Sequence, residues 1–138
     1  MKHPMRLLLD THVALWALWD SPRLSQAARG ILLDPANTVF LSSVSLLEVE
    51  LKHIAHPREM RVNARELAEL GTKAGYLRLA LSDEHVFGLG ALTRRPGTPT
   101  HKDPFDRLLI SQATAEGMRL VTHDARIAEY ESPCVLPV

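Results

Sequence analysis

An α/β fold, with a central parallel β-sheet flanked by α-helices on both faces, is what this sequence predicts, and three observations carry it. Short apolar runs such as Leu7-Leu8-Leu9 and Leu120-Val121 read as strands buried on both faces. Helix-length stretches alternate with them, which implies repeated βα units and hence a parallel sheet. Pro, Gly and capping residues punctuate the chain where each element should begin or stop.

In order, residues 5–9 form a buried strand and residues 11–19 a helix that is apolar nearly throughout. Ser25 caps a second helix over residues 26–33, and Asp34-Pro35 stops it. Residues 38–41 are a strand, and Ser45 starts a helix to about Ile54, broken by His56-Pro57. A further helix covers residues 63–74, with Gly75 as its C-terminal cap. Residues 76–81 alternate like a strand, and Ser82-Asp83-Glu84 caps the helix that follows. Residues 94–102 make the only long loop. Residues 103–116 are a helix ended by Gly117, 120–122 a strand, 125–130 a short helix and 134–136 a last strand. With no internal repeat or linker, the 138 residues are expected to form a single domain, 1–138.

Composition excludes several classes. Lys+Arg and Asp+Glu both number 16, so no global charge advertises a polyanion and any basic patch is local. No apolar run approaches the roughly 20 residues of a membrane span. The N-terminal residues lack a signal-peptide pattern. A single cysteine, Cys134, makes no internal disulfide, which fits a reducing cytoplasm, and reads as a small core residue of the last strand.

Four acidic residues stand at the ends of core elements. Asp10 closes the first apolar run, Glu48 lies in Ser45-Leu46-Leu47-Glu48, Asp106 in Asp103-Pro104-Phe105-Asp106, and Asp124 follows the strand at Leu120. Carboxylates there cost free energy unless a hydrogen bond, a partner charge or a metal compensates them. Four from distant segments suggest one oxygen-rich site for a hard divalent cation. In an open parallel sheet ligands bind beyond the carboxyl ends of the strands, where Asp10 and Asp124 fall directly and the first turns holding Glu48 and Asp106 open. Each also has a plainer reading. Ser45 to Glu48 is a capping box, Asp103 is an N-cap before proline, and Asp10 and Asp124 could each cap a helix. Asp106 resists this, because Leu109, Ile110 and Ala113 place it on an apolar helical stripe.

The segments Leu9-Asp10-Thr11-His12, Ser45 to Glu48, His101-Lys102-Asp103-Pro104-Phe105-Asp106-Arg107 and Thr122-His123-Asp124 resemble those of the PIN-domain nucleases, most of all the VapC-type toxins of type II toxin–antitoxin systems. The resemblance runs nearly end to end. It implies a PIN-like αβα sandwich and a metal-dependent endoribonuclease, with Asp10, Glu48, Asp106 and Asp124 as catalytic and metal-binding residues. Asp103 would assist, Thr11 and Thr122 would hold the ligands, and Glu50 competes with Glu48. Mg²⁺ or Mn²⁺ would polarise the phosphate and activate water, Asp10 and Asp124 taking the first ion. His12, His101 and His123 read as surface or packing residues, since hard cations prefer oxygen. Arg94, Arg95, Lys102 and Arg107 bracket the site in sequence and could bind RNA phosphates, or be solvated loop charge.

The partners implied are an RNA substrate, a cognate antitoxin protein and a second copy of the chain. Trp16 and Trp19, with Leu15 and Leu18, leave more apolar surface than one helix face need bury, which supports a homodimer or partner interface, although core packing also explains such a helix. Two other functions compete. A phosphohydrolase or phosphoacceptor domain would want a second carboxylate close to Asp10 and a late lysine, yet His12 stands two residues on and no lysine follows Lys102. A non-catalytic protein-binding module would show no metal-dependent cleavage.

Overall fold

The structure is a computed structural model that describes residues 3–93, 96–97, 103–130 and 132–138. The elements are β1 (Arg6–Leu9), α1 (Thr11–Leu18), α2 (Gln26–Leu33), β2 (Thr38–Ser42), α3 (Ser43–Ala55), α4 (Ala64–Lys73) and β3 (Leu77–Leu79). They continue with α5 (Asp83–Phe87), a 3-10 turn (Gly88–Ala91), α6 (Pro104–Glu116), β4 (Arg119–Thr122), α7 (Ala125–Ala128) and β5 (Val135–Pro137). The five strands form one sheet in the order β3-β2-β1-β4-β5, every pair parallel. This is the α/β fold expected.

Strand side chains alternate between the two faces. Leu7 and Leu9 enter one core with Val39, Leu41 and Val121, against Val13, Ala14, Ala28 and Leu67 from α1, α2 and α4. Leu8 and Leu120 enter the other core, against Leu109, Ile110 and Ala113 of α6 and Ile127 of α7. Helix α3 serves both, sending Val44 to the second core and Val49 to the first.

The sheet order reverses direction between β1 and β4, so the crevice beyond their carboxyl ends is the natural ligand site of such a sheet. Asp10 follows β1 and its backbone N–H donates to Val121 O at 3.1 Å, continuing the ladder. Asp124 lies two residues beyond β4.

Three expectations change. Helix α3 begins at Ser43 with Ser42 as its N-cap, accepting from the Val44 N–H at 2.9 Å, because β2 extends through Ser42. Ser45 and Glu48 therefore make no capping box, and Glu48 sits beyond the first turn. Strand β3 is only three residues long, since as an edge strand it has a single neighbour. Helix α7 ends at Ala128 rather than at Tyr130. Cys134 is half-buried just before β5 and packs on the second core.

Candidate active site

Three of the acidic residues owe their placement to helix starts. Asp10 is the N-cap of α1, accepting the Val13 N–H at 2.8 Å. Asp124 caps α7, accepting the Arg126 N–H at 2.8 Å. Asp103 caps α6, accepting from the Phe105 and Asp106 amides, which puts Asp106 in the first turn of that helix. Capping and a site role are thus compatible: a cap uses one carboxylate oxygen, and the second can serve another purpose at the sheet edge.

Asp10 and Glu48 are each 3% exposed, and each is held by a threonine. Thr122 Oγ1 donates to the second oxygen of Asp10 at 2.5 Å and accepts the Asp124 N–H at 3.0 Å, so one hydroxyl ties two site residues together. Thr11 Oγ1 donates to Glu48 Oε1 at 2.6 Å and is hydrogen-bonded to Ser45 Oγ at 2.9 Å. Ser45 is fully buried and turned towards Thr11, which explains why it is not the cap.

Asp106 shows that the carboxylates share one region. Its pKa is pushed up from 3.8 to about 7, first by burial and then by the charges of Asp103, Glu48, Asp124 and Asp10. All four site carboxylates and Asp103 therefore meet in one electrostatic field. Its helical neighbours Leu109, Ile110 and Ala113 are buried as the stripe requires. Burial also pushes Asp10 up; the bonds from Thr122 and Val13 and the nearby His12 pull it down, and Asp124 pushes it up again.

The group is near without being closed. Among the described residues, no three His, Cys, Asp or Glu side chains converge at metal-ligating distance. Local partners take up the charge of two of the carboxylates. Glu48 Oε2 accepts from Lys52 Nζ at 2.7 Å, one helical turn on. Asp124 pairs with Arg126 at 3.2 Å, and this hydrogen bond and charge raise the pKa of the guanidinium further. Lys52 and Arg126 escaped the sequence reading. The i,i+4 spacing of Glu48 and Lys52 was a usable signal, whereas the Asp124–Arg126 pairing depends on the turn geometry. Of the basic residues singled out from sequence, Arg107 is half-buried beside Asp106 on α6, and Arg94, Arg95 and Lys102, like His101, lie outside the described residues.

Glu50 stands apart from this group by its bonding. Its Oε1 accepts the Ala64 N–H at 3.1 Å, fastening the start of α4 to α3. A buried polar string lies behind the site. Ser42, the cap of α3, donates to Gln112 Oε1 at 2.5 Å; Gln112 Nε2 lies 3.3 Å from His85 Nδ1, and His85 Nε2 lies 2.9 Å from Glu116 Oε2. It ties the helix carrying Glu48 to the helix carrying Asp106. Trp16 is half-buried on α1, with His12 at 6.0 Å and His123 at 5.6 Å between ring centroids. Trp19 remains 41% exposed.

The donor set, oxygen throughout with mutual repulsion concentrated on Asp106, suits a hard divalent cation and not a soft one.

Comparison with known proteins bears on the fold and family of the chain. The profile of the PIN domain family matches residues 7–132. The chain is 30% identical over 129 residues to Ribonuclease VapC22 of Mycobacterium tuberculosis, spanning 92% of this chain and 93% of that protein. Its fold superposes on VapBC2 from Rickettsia felis bound to a promoter DNA fragment with a TM-score of 0.65, at 19% identity over 97% of this chain and 98% of that one. DNA-bound VapBC from Salmonella typhimurium gives 0.61 at 21% identity, with 97% of each chain covered.

Proposed function

Because the chain belongs to the PIN-domain family, we propose that it is a metal-dependent endoribonuclease and the toxin of a type II toxin–antitoxin pair, residues 1–138 forming the one nuclease domain. The observation that supports this most is the gathering of carboxylates around Asp106, whose carboxyl is pushed up first by burial and then by Asp103, Glu48, Asp124 and Asp10. Negative charge gathered this way is unfavourable unless a cation or a proton relieves it.

Asp10, Glu48, Asp106 and Asp124 would hold Mg²⁺ or Mn²⁺. When bound, the ion supplies Lewis-acid polarisation of a phosphodiester and of its attacking water. The chain's own residues do the positioning. Thr122 fixes the Asp10 carboxylate and Thr11 fixes that of Glu48, so their oxygens keep their aim without side-chain entropy being lost at each turnover. Lys52 and Arg126, both exposed and already drawn to the carboxylates, would receive the flanking RNA phosphates. Asp103 keeps to its capping role and adds negative potential.

The partner proposed is an antitoxin that covers the acidic cleft with a basic side chain, a reading supported by the likeness of this fold to a toxin–antitoxin complex from Klebsiella pneumoniae. A homodimer is part of the reading, resting on exposed Trp19 and the edge strand β5. Among the described residues no helix is long and apolar enough to cross a membrane, and we place the activity in the cytoplasm on the strength of the lone thiol.

The decisive experiment incubates partner-free protein with transfer RNA and structured RNA in Mg²⁺, Mn²⁺ or EDTA and maps the ends. Defined cuts that need metal and vanish in Asp10→Asn are expected. Cleavage that persists in EDTA would overturn the metallonuclease reading.

A further inference from the structure

The aromatic trio on α1 and the β4–α7 turn is not used by the chemistry above. His12 and Trp16 are one helical turn apart on α1, and His123 comes from the turn after β4, so two distant segments bring their rings together. The separations of 6.0 and 5.6 Å, one pair tilted at 36° and the other edge-on at 67°, are those of interacting rings. The indole backs onto the first core beside Leu15 and Leu18. Both imidazoles are exposed. The His123 ring is fixed by a 2.7 Å bond between Nδ1 and Val138 O, so that ring is held before any ligand arrives.

Its place matters more than its composition. His12 is two residues from Asp10, near enough for its charge to act on that carboxyl. His123 lies between Thr122, which grips Asp10, and Asp124. Two of the three rings thus come from residues adjoining the segments that carry Asp10 and Asp124. A core needs no exposed imidazoles beside an indole. A strand with unpaired bases does have a use for them, because bases stack on aromatic side chains with a gain that does not depend on sequence.

We propose that His12, Trp16 and His123 form a stacking subsite for one unpaired nucleobase next to the phosphodiester to be cut. This rests on the ribonuclease reading and deepens it by naming the side chains that would hold a base beside the cut. Paired A-form RNA keeps its base faces covered and offers nothing to the platform.

Trp16 can report on itself. The chain has two tryptophans, so Trp19→Phe leaves Trp16 as the only one. In EDTA at low salt, where nothing is cut, a single-stranded hexaribonucleotide is titrated against an abasic hexamer of equal charge. The expected result is quenching of Trp16 by the first and not by the second. Affinity for the hexaribonucleotide should fall about tenfold in Trp16→Leu and in the double variant His12→Ala/His123→Ala, and Trp16→Phe should restore most of it. Equal quenching by the abasic oligomer overturns the proposal, as does undiminished affinity in the histidine double variant, whose exposed side chains can be removed without opening the core. Parallel cleavage assays with Mn²⁺ keep the two claims separate. Cleavage without base-dependent binding removes the platform alone, whereas no metal-dependent cleavage removes the nuclease reading.

Discussion

Replacing Asp106 by asparagine should make the metal-free protein more stable, and by an amount that depends on pH. Folding raises this carboxyl from 3.8 to about 7. A carboxyl so raised keeps its proton in the native state at pH values where the unfolded chain has already lost it. Stability therefore falls as pH climbs from about 4 to 7 and is flat above. The shift of about three units corresponds to a ceiling of about 4 kcal/mol at 1.36 kcal/mol per unit. Solvent reaches the mouth of the site, and screening lowers the expected penalty to about 1–2 kcal/mol. A carboxamide does not ionise in this range, so Asp106→Asn escapes the penalty. In EDTA at pH 8 its melting temperature should exceed that of the parent by about 3–8 °C for a domain of this size, with the difference shrinking towards zero near pH 4. Mn²⁺ should erase the advantage, because the cation relieves the same repulsion only in the parent. Circular-dichroism melts at pH 4.5, 6 and 8, with and without Mn²⁺, read all of this. A variant less stable at pH 8, or a gain that is the same at every pH, would refute the reasoning.

Other perturbations separate neighbouring residues. Glu48→Gln should reduce RNA cleavage by at least a hundredfold, whereas Glu50→Gln should stay within a few-fold of the parent, because Glu50 fastens the Ala64 amide; initial rates with Mn²⁺ decide. Asp103→Asn keeps the cap of α6, since asparagine caps as well as aspartate, and removes one of the charges raising Asp106, so carboxyl titration by NMR should show the Asp106 pKa falling while much of the activity remains. At Gly88 an added Cβ would lie 2.5 Å from Ser111 Oγ, which donates to His85 O at 2.6 Å. Gly88→Ala should therefore cost about 1–3 kcal/mol in denaturant melts by displacing that buried hydroxyl, and Gly88→Ala/Ser111→Ala should lose less than the sum of the single losses.

Element type was readable from sequence wherever a strand and its punctuation agreed. Asn63, Ser82, Asp103 and Gly117 mark helix ends where local chemistry says they should. Helix α3 misled because three serines, at 42, 43 and 45, compete for one cap. The glutamate three residues after Ser45 favoured the wrong one, while the winner was set by how far β2 pairs with β3, a tertiary matter. The candidate site was legible as four carboxylates because each breaks an apolar pattern. Their partners were not. Thr11 and Ser45 meet across 34 residues, and the aromatic trio joins α1 to the β4–α7 turn. No periodicity within one element encodes such meetings.

The bond between Thr122 and Asp10 spans 112 residues, and β4 is inserted beside β1 only after α6 has been made. Synthesis at roughly 5–20 residues per second puts about 6–20 s between the appearance of Asp10 and that of Thr122 on a ribosome. Through that interval the growing chain can bury Leu7, Leu9 and Leu41 under its first helices, yet its acid cluster stays incomplete until Asp124 follows Thr122. The candidate acid cluster is thus among the last parts of the molecule to be completed. A product that stops before Asp106 lacks two of the four carboxylates.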